Sequence, residues 1–224
     1  MSGAPPLVAL VGNPNAGKSS LFNALTGARQ KIANYPGVTV ERHSGRLNLP
    51  DGQTVELVDL PGTHRLDPAS PDEAVTRDVI LGRQAGERRP DALVIVVDAG
   101  NLENHLRFTL ELLDLGLPTV VALNMIDMAE RDGLTIDPAR LAAQLGVPVL
   151  PTVAVRRRGL DNLLSALAGQ ISVPKLAATR PGGPADEASR RLAAQRLSKD
   201  ATISETASHS LTNRLDSVLL HPII

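Results

Sequence analysis

Gly12-Asn13-Pro14-Asn15-Ala16-Gly17-Lys18-Ser19 is the stretch that decides the fold. It meets the pattern G-x-x-x-x-G-K-[ST] at every fixed position. An apolar run over residues 7–11 precedes it and reads as a buried strand. Residues 19–25 follow it and read as the opening of a helix. Strand, glycine-rich turn and helix in that order make a phosphate-binding loop. Gly12 and Gly17 let the main chain wrap a phosphate with no side chain in the way. The main-chain amides along Gly12 to Ser20 and the helix N-terminus supply partial positive charge. In this motif Lys18 reaches the β- and γ-phosphates and Ser19 is a ligand for Mg²⁺.

Outward from the loop, strand-like and helix-like segments alternate. Residues 40–49 and 54–60 flank Pro50-Asp51-Gly52, a hairpin turn signal. Residues 92–97, 119–123 and 147–150 are unbroken Val/Leu/Ile/Ala runs, as parallel strands covered on both faces require. Helical patterns fall at about 73–86, 102–115, 138–145 and 160–171, the third opened by Asp137-Pro138. The expectation is an α/β fold with a six-stranded, mostly parallel sheet and one antiparallel edge strand. Composition changes after residue 172. Residues 173–184 read as a linker around Arg180-Pro181-Gly182-Gly183-Pro184, and 185–224 as a small helical appendage with helices at about 186–198 and 211–220. The domain reading is therefore 1–172, a linker, and 185–224.

Three further elements narrow the ligand. Asn124-Met125-Ile126-Asp127 ends an apolar strand. A carboxylate at Asp127 can accept from guanine N1–H and the 2-amino group together; adenine offers no such donor pair and leaves the carboxylate unpaired. Asp59-Leu60-Pro61-Gly62 also ends a strand and fits D-x-x-G, with Asp59 holding Mg²⁺ through water and the Gly62 amide meeting the γ-phosphate. Between the phosphate loop and the hairpin lies Gly37-Val38-Thr39-Val40-Glu41, where Thr39 is the candidate switch residue that joins the Mg²⁺ shell only with a triphosphate bound. Residues 28–41 are expected to be mobile otherwise. A base-side loop is expected after the last strand, and Ala154-Val155-Arg156 fits best. It carries no serine to brace it, so it is expected to be loosely held. Ras-type GTPases place a glutamine after D-x-x-G to orient water; here Thr63 and then His64 stand there.

Composition excludes several other classes. Lys+Arg 23 against Asp+Glu 24 gives a net charge of −1, which argues against nucleic-acid binding by bulk charge. Phe22, Tyr35 and Phe108 are the only aromatics, too few for a base-stacking platform. With no cysteine, there is no disulfide and no thiolate site. No apolar run approaches the ~18 residues of a membrane span. The abrupt apolar end at Leu219-Leu220-His221-Pro222-Ile223-Ile224 suggests a piece of a longer chain. The five histidines have no ligand-like spacing and read as surface or packing residues, and Arg156–Arg158 as a solvated loop.

The four motifs together, with Asn34-Tyr35-Pro36 ahead of the switch and methionine inside the guanine element, resemble the cytoplasmic G domain of the bacterial ferrous-iron transporter family FeoB. The resemblance covers about residues 5–172 strongly and the appendage more loosely; residues 213–222 resemble a lead into a first membrane helix. It implies a Ras-like P-loop GTPase that binds GTP and GDP with Mg²⁺, is stimulated by K⁺ and hydrolyses slowly. Such a domain regulates Fe²⁺ uptake from the cytoplasmic face of the inner membrane, beside the permease region of the same full-length chain. Small cytoplasmic regulators and homo-oligomers are compatible with it. As in potassium-activated GTPases, Asn15 would hold the K⁺. Lys18, Thr39 and Gly62 complete the implied catalytic set. His64 departs from the family's tyrosine. The alternatives are a soluble Era-like assembly GTPase and a nucleotide-binding switch with negligible catalysis.

Overall fold

A computed structural model describes residues 4–27, 30–172 and 186–205. Strands β1 (Leu7–Gly12), β2 (Gln30–Asn34), β3 (Glu41–Asn48), β4 (Thr54–Asp59), β5 (Ala92–Asp98), β6 (Thr119–Asn124) and β8 (Val149–Pro151) form one sheet in the order β2-β3-β4-β1-β5-β6-β8. The five strands from β4 to β8 are mutually parallel. Strand β3 runs antiparallel to β4, joined by the expected hairpin.

The sheet has seven strands where six were expected. The additional one, β2, pairs antiparallel with β3, from Gln30 opposite Gly45 to Asn34 opposite Glu41. It lies within the segment expected to be mobile. Its side chains gave no sign of a strand, since its one large apolar residue, Ile32, is 64% exposed. Backbone pairing to β3 holds it at the edge, with the Gln30 side chain donating to Asn23 Oδ1 at 2.6 Å and to Gly27 O at 3.0 Å.

Alternation along the central strands explains the unbroken apolar runs. Leu7, Ala9, Val11, Leu93, Ile95, Val97, Val121 and Leu123 face one layer. Val8, Leu10, Val94, Val96, Val120 and Ala122 face the other. Both faces are dry, so neither can carry polar residues. The first layer is closed by α2 (Pro71–Ile80), α3 (Leu102–Leu113) and α5 (Pro138–Leu145), through Val75, Val79, Leu106, Phe108 and Leu141. Helices α1 (Lys18–Thr26) and α6 (Leu160–Ser172) close the second with Leu21, Phe22, Leu163 and Leu167. Helix α2 starts earlier and ends sooner than its pattern suggested. Ser70 Oγ accepts from Glu73 N at its start, and the amides of Arg83 and Gln84 both turn back to Asp78 O beyond its end.

After β6 come two short elements that the sequence did not announce, α4 (Ile126–Arg131) and β7 (Leu134–Ile136). Helix α7 (Glu187–Ala201) opens on Asp186, whose carboxylate accepts from Ser189 N at 2.6 Å. It packs on α3 and α5 and buries Ala194 and Ala201 in the first layer. The chain continues as strand β9 (Thr202–Glu205), antiparallel to β7. Arg190 of α7 reaches Asp114 at 3.3 Å and Glu111 at 3.8 Å on α3. The expected linker and the helix at 211–220 lie outside the described residues.

Ala194 is fully buried where α7 meets the first layer, so Ala194→Leu has no room and is expected to cost about 1–3 kcal/mol. Leu192→Ala on the same helix removes a side chain that is 55% exposed and should cost under about 0.5 kcal/mol. Urea unfolding of both variants checks this; equal midpoints would mean that α7 is not docked as described.

Candidate functional site

Five parallel strands end on one edge of the sheet, and the order of connections reverses around β1. In open α/β sheets a ligand crevice forms there. Gly12 ends β1, Asp59 ends β4 and Asn124 ends β6. Pro151 ends β8, just before the short helical turn Ala154–Arg156. Local folding thus gathers four of the five sequence elements at one place, far apart as they are in the chain.

At the phosphate end the loop turns through Asn15, at φ 63°, and Gly17, at φ 83°, before α1 begins. Gly17 has two reasons to lack a side chain. Its backbone is left-handed, and a Cβ there would stand 2.4 Å from Asn124 Nδ2. Lys18 is buried, with its ammonium 3.5 Å from Asn13 O. Burial pushes its pKa down, and the Asp59 carboxylate partly opposes that. Asp59 is shifted the other way. Burial pushes its pKa up against the pull of Lys18, the Ser19 hydroxyl and His43. Ser19 Oγ donates to Asp59 Oδ2 at 3.1 Å, while Asp59 Oδ1 is buried and has no hydrogen-bond partner among the described residues. A hydroxyl and a carboxylate with a spare buried oxygen make a hard oxygen donor set, which fits Mg²⁺. A Cβ on Gly62 would lie 3.0 Å from Lys18 Nζ, so the Gly62 main chain sits against the same ammonium.

At the base end Asn124 is the centre. It is 2% exposed. Its Nδ2 donates to Ala16 O of the phosphate loop at 3.0 Å. Its Oδ1 accepts from Thr152 Oγ1 at 3.3 Å and from Ala154 N at 3.2 Å. The base-side loop is therefore braced, contrary to the expectation drawn from its missing serine. The brace comes from Thr152, two residues upstream, and from a main-chain amide. Met125 follows at φ 58°, a left-handed turn that starts α4. It leaves Ile126 buried and Asp127 with a side chain that is 19% exposed. Arg156 Nη1 lies 3.4 Å from Asp127 Oδ2, which brings the candidate guanine-reading carboxylate and the expected fifth element together. Val155 is exposed.

Thr39 is not brought to this site. Gly37, Val38 and Thr39 lie exposed on a turn held by Val38 N to Tyr35 O at 3.2 Å and Tyr35 N to Val40 O at 3.0 Å. No hydrogen bond among the described residues joins Thr39 to Ser19 or Asp59. Tyr35 anchors the turn, buried in the first layer among residues that include Val75 and Val79. Asn15 is exposed at the mouth of a cavity of about 830 Å³ that Asn13, His64, His105, Arg107 and Arg190 also line.

Two contacts had no signal in the sequence. His64 Nδ1 lies 3.1 Å from Asn13 Nδ2, so this histidine touches the phosphate loop. Thr63 is fully buried and its hydroxyl donates to Arg65 O at 2.7 Å, so that proton is already used. His105 is a packing residue, as expected: its Nδ1 accepts from Asp98 N at 3.2 Å, and burial pushes its pKa down. His209 and His221 lie outside the described residues.

The Asp59 shift yields a prediction. A carboxyl whose pKa is raised by folding favours the protonated form in the folded state. The native state therefore loses stability as pH rises from the unfolded value through the raised one. Asp59→Asn should raise the melting temperature of the nucleotide-free protein at pH 7, and the gain should shrink to nothing in acid, where Asp59 is protonated in both states. Mg²⁺ should lose its stabilising effect in the same variant. Thermal melts from pH 4 to 8 check the sign; a lower melting temperature at pH 7 would contradict it.

Comparison with known proteins agrees with this geometry. The family model FeoB_N, ferrous iron transport protein B, matches residues 7–167. The Fe(2+) transporter FeoB of Shigella flexneri is 49% identical over 164 residues, 71% of this chain and 20% of that protein. The chain thus spans about a fifth of the length of the curated relatives it matches. Among solved structures, the cytosolic domain of T. maritima FeoB in a GDP form is 38% identical, with a TM-score of 0.71 over 78% of this chain and 66% of that one. The L. pneumophila cytosolic domain is 42% identical, with a TM-score of 0.67 over 73% and 63% of the two chains. A GMPPNP form of the T. maritima domain is 40% identical over 75% and 64%, with a TM-score of 0.70. A phosphate loop tied to a guanine element on a Ras-like sheet, matched by a family model over most of its length, places the chain in one family: it belongs to the ferrous iron transport protein B family, in its N-terminal G-domain part.

Proposed function

We propose that this domain binds GTP and GDP, hydrolyses GTP slowly, and regulates Fe²⁺ uptake by the membrane permease region of a longer chain from the cytoplasmic face of the inner membrane. The observation that carries the reading is the Asn124 carboxamide, which ties the guanine element to the phosphate loop at Ala16 O and leaves Asp127 beside the same crevice. Relatives in GDP and GMPPNP forms support it.

The placement of the residues supports the following roles. The amides of residues 12–19 and the N-terminus of α1 face the phosphates, and Lys18 brings a charge already stripped of water. Asp127 reads the guanine edge, while Ala154 to Arg156 close over the base. Ser19 and Asp59 would hold Mg²⁺, with Thr39 joining after the switch turns inward, and Asn15 would hold K⁺; these ions would neutralise charge on the phosphates. With the Thr63 proton committed to Arg65 O, Thr63 cannot donate to the attacking water without breaking that bond. That supports slow turnover without a partner.

Asp127→Ala should weaken GDP binding at least about tenfold, given about 1–3 kcal/mol for each buried donor left unpaired, and leave ADP binding as weak as before. Equal affinity of the unmutated protein for ADP and GDP would overturn the guanine reading. K⁺ should raise turnover roughly tenfold over Na⁺, a fraction of what an arginine finger supplies. Asn15→Ala should remove that difference and keep GDP affinity within a few fold. Phosphate release in matched KCl and NaCl measures both; equal rates for the unmutated protein would favour a nucleotide switch with negligible catalysis.

A further inference from the structure

We propose that the free edge of strand β2 is a self-complementary interface, along which two copies of this chain pair antiparallel about Ile32 and join their sheets into one. The interface is independent of what the crevice binds.

Strand β2 ends the sheet order, so one of its two edges is unpaired among the described residues. The register with β3 decides which groups that edge offers. Tyr35 N donates to Val40 O, continuing the ladder that sets Asn34 opposite Glu41. In an antiparallel ladder bonded and non-bonded pairs alternate. The main-chain groups of Lys31 and Ala33 therefore face β3, and those of Gln30, Ile32 and Asn34 face outward. Such a row of free N–H and C=O groups is a template for another strand unless a proline, a bulge or a covering helix blunts it. Here Gln30 to Asn34 contains no proline, its pairing with β3 runs without a shift, and four of its five residues are exposed.

The order of the side chains fits a second copy of the same strand. Laid antiparallel about Ile32, Gln30-Lys31-Ile32-Ala33-Asn34 sets Ile32 opposite Ile32, Gln30 opposite Asn34 and Lys31 opposite Ala33. Ile32 is 64% exposed in the single chain, and the pairing covers each isoleucine with the other. Gln30 spends its amide nitrogen on Asn23 Oδ1 and Gly27 O, which leaves its oxygen for the Asn34 nitrogen of the other copy. Each lysine faces an alanine, so no like charges stand directly opposite. The same register matches the outward main-chain groups, Ile32 with Ile32 and Gln30 with Asn34. Neighbouring registers are worse. A slip one way sets Lys31 opposite Lys31, and a slip the other way leaves Gln30 facing Pro36, beyond the strand.

One short strand pair is a small interface and makes a weak dimer, so the decisive test reads register. The chain has no cysteine, and a single introduced thiol therefore reports on one position. Ile32→Cys should cross-link to itself with a short bismaleimide at least about fivefold faster than Asn34→Cys, whose two copies stand about 13 Å apart along the paired strands. Both positions are exposed, so random collision would treat them alike. In sedimentation equilibrium the mass of the unmutated chain should rise toward twice its single-chain value between micromolar and millimolar concentration. Ile32→Pro should stay monomeric there with its melting temperature unchanged, because proline removes only an outward N–H and spares the pairing with β3. If Ile32→Pro does not fold, Ile32→Lys sets charge against charge at the centre of the interface and should stay monomeric in its place. An unmutated chain that is monomeric throughout, equal cross-linking at positions 32 and 34, or a dimer that survives in folded Ile32→Pro or in Ile32→Lys overturns the proposal.

Discussion

One buried carboxamide holds the crevice together. Asn124 sits at the end of β6, next to β5 in the register that sets Asp98 opposite Asn124. Its three hydrogen bonds reach a loop 108 residues away and a loop 28 to 30 residues away. None of these segments has another side-chain tie of this kind to both of the others among the described residues. A buried amide with unmet groups is costly, so all three bonds form together or the side chain gains little by being buried. This cooperativity also dictates Gly17. Any Cβ there would collide with Asn124 Nδ2, and Asn124 cannot swing aside without giving up its partners.

The phosphate end shows the opposite arrangement, with polar groups left under-satisfied. Lys18 and Asp59 are both largely withdrawn from water, and each is pushed toward its neutral form by burial. Their mutual attraction offsets only part of that cost. Asp59 keeps one buried oxygen without a partner. Such an arrangement costs stability in the bare domain and favours ligands that carry complementary charge, because a phosphate or a divalent cation then meets groups that have already lost their water. The stable scaffold on either side, two dry faces of a parallel sheet, is what lets the site carry this cost.

The phosphate loop, the guanine element and D-x-x-G were legible because each needs particular residue types at fixed spacing, at the end of a strand that an apolar run already announced. Strand β2 was not legible. Its sequence, Gln30 to Asn34, has no alternation, and backbone bonds to β3 made it a strand. Helix α4 and strand β7 are too short for periodicity to show. The brace at Thr152 was not legible because the motif sets a serine at position 154, whereas the geometry needs only a hydroxyl within reach of Asn124 Oδ1. Thr152, the residue that follows strand β8, supplies one two positions earlier. His64 against Asn13 is a contact across 51 residues between two loops, which no local pattern encodes.

The position of Thr39 sets a constraint on any switch. Four residues before it, Tyr35 is buried in the core, and two residues after it β3 begins. Arg42, near the start of β3, is paired with Glu56 and Glu87, with side chains only 10–29% exposed. Gln84 Nε2 donates to Pro36 O at 3.2 Å, a further tie to the segment after α2. Removing Tyr35 would give up about 1.5–3 kcal/mol of apolar burial, and opening the Arg42 cluster would strand partly buried charges. Turning Thr39 inward while both anchors stay costs only the exposed turn bonds between Tyr35, Val38 and Val40. The cheaper motion is therefore confined to residues 36–40. A switch confined to a segment this short, pinned at both ends, would turn its one exposed threonine inward and leave the edge strand in place.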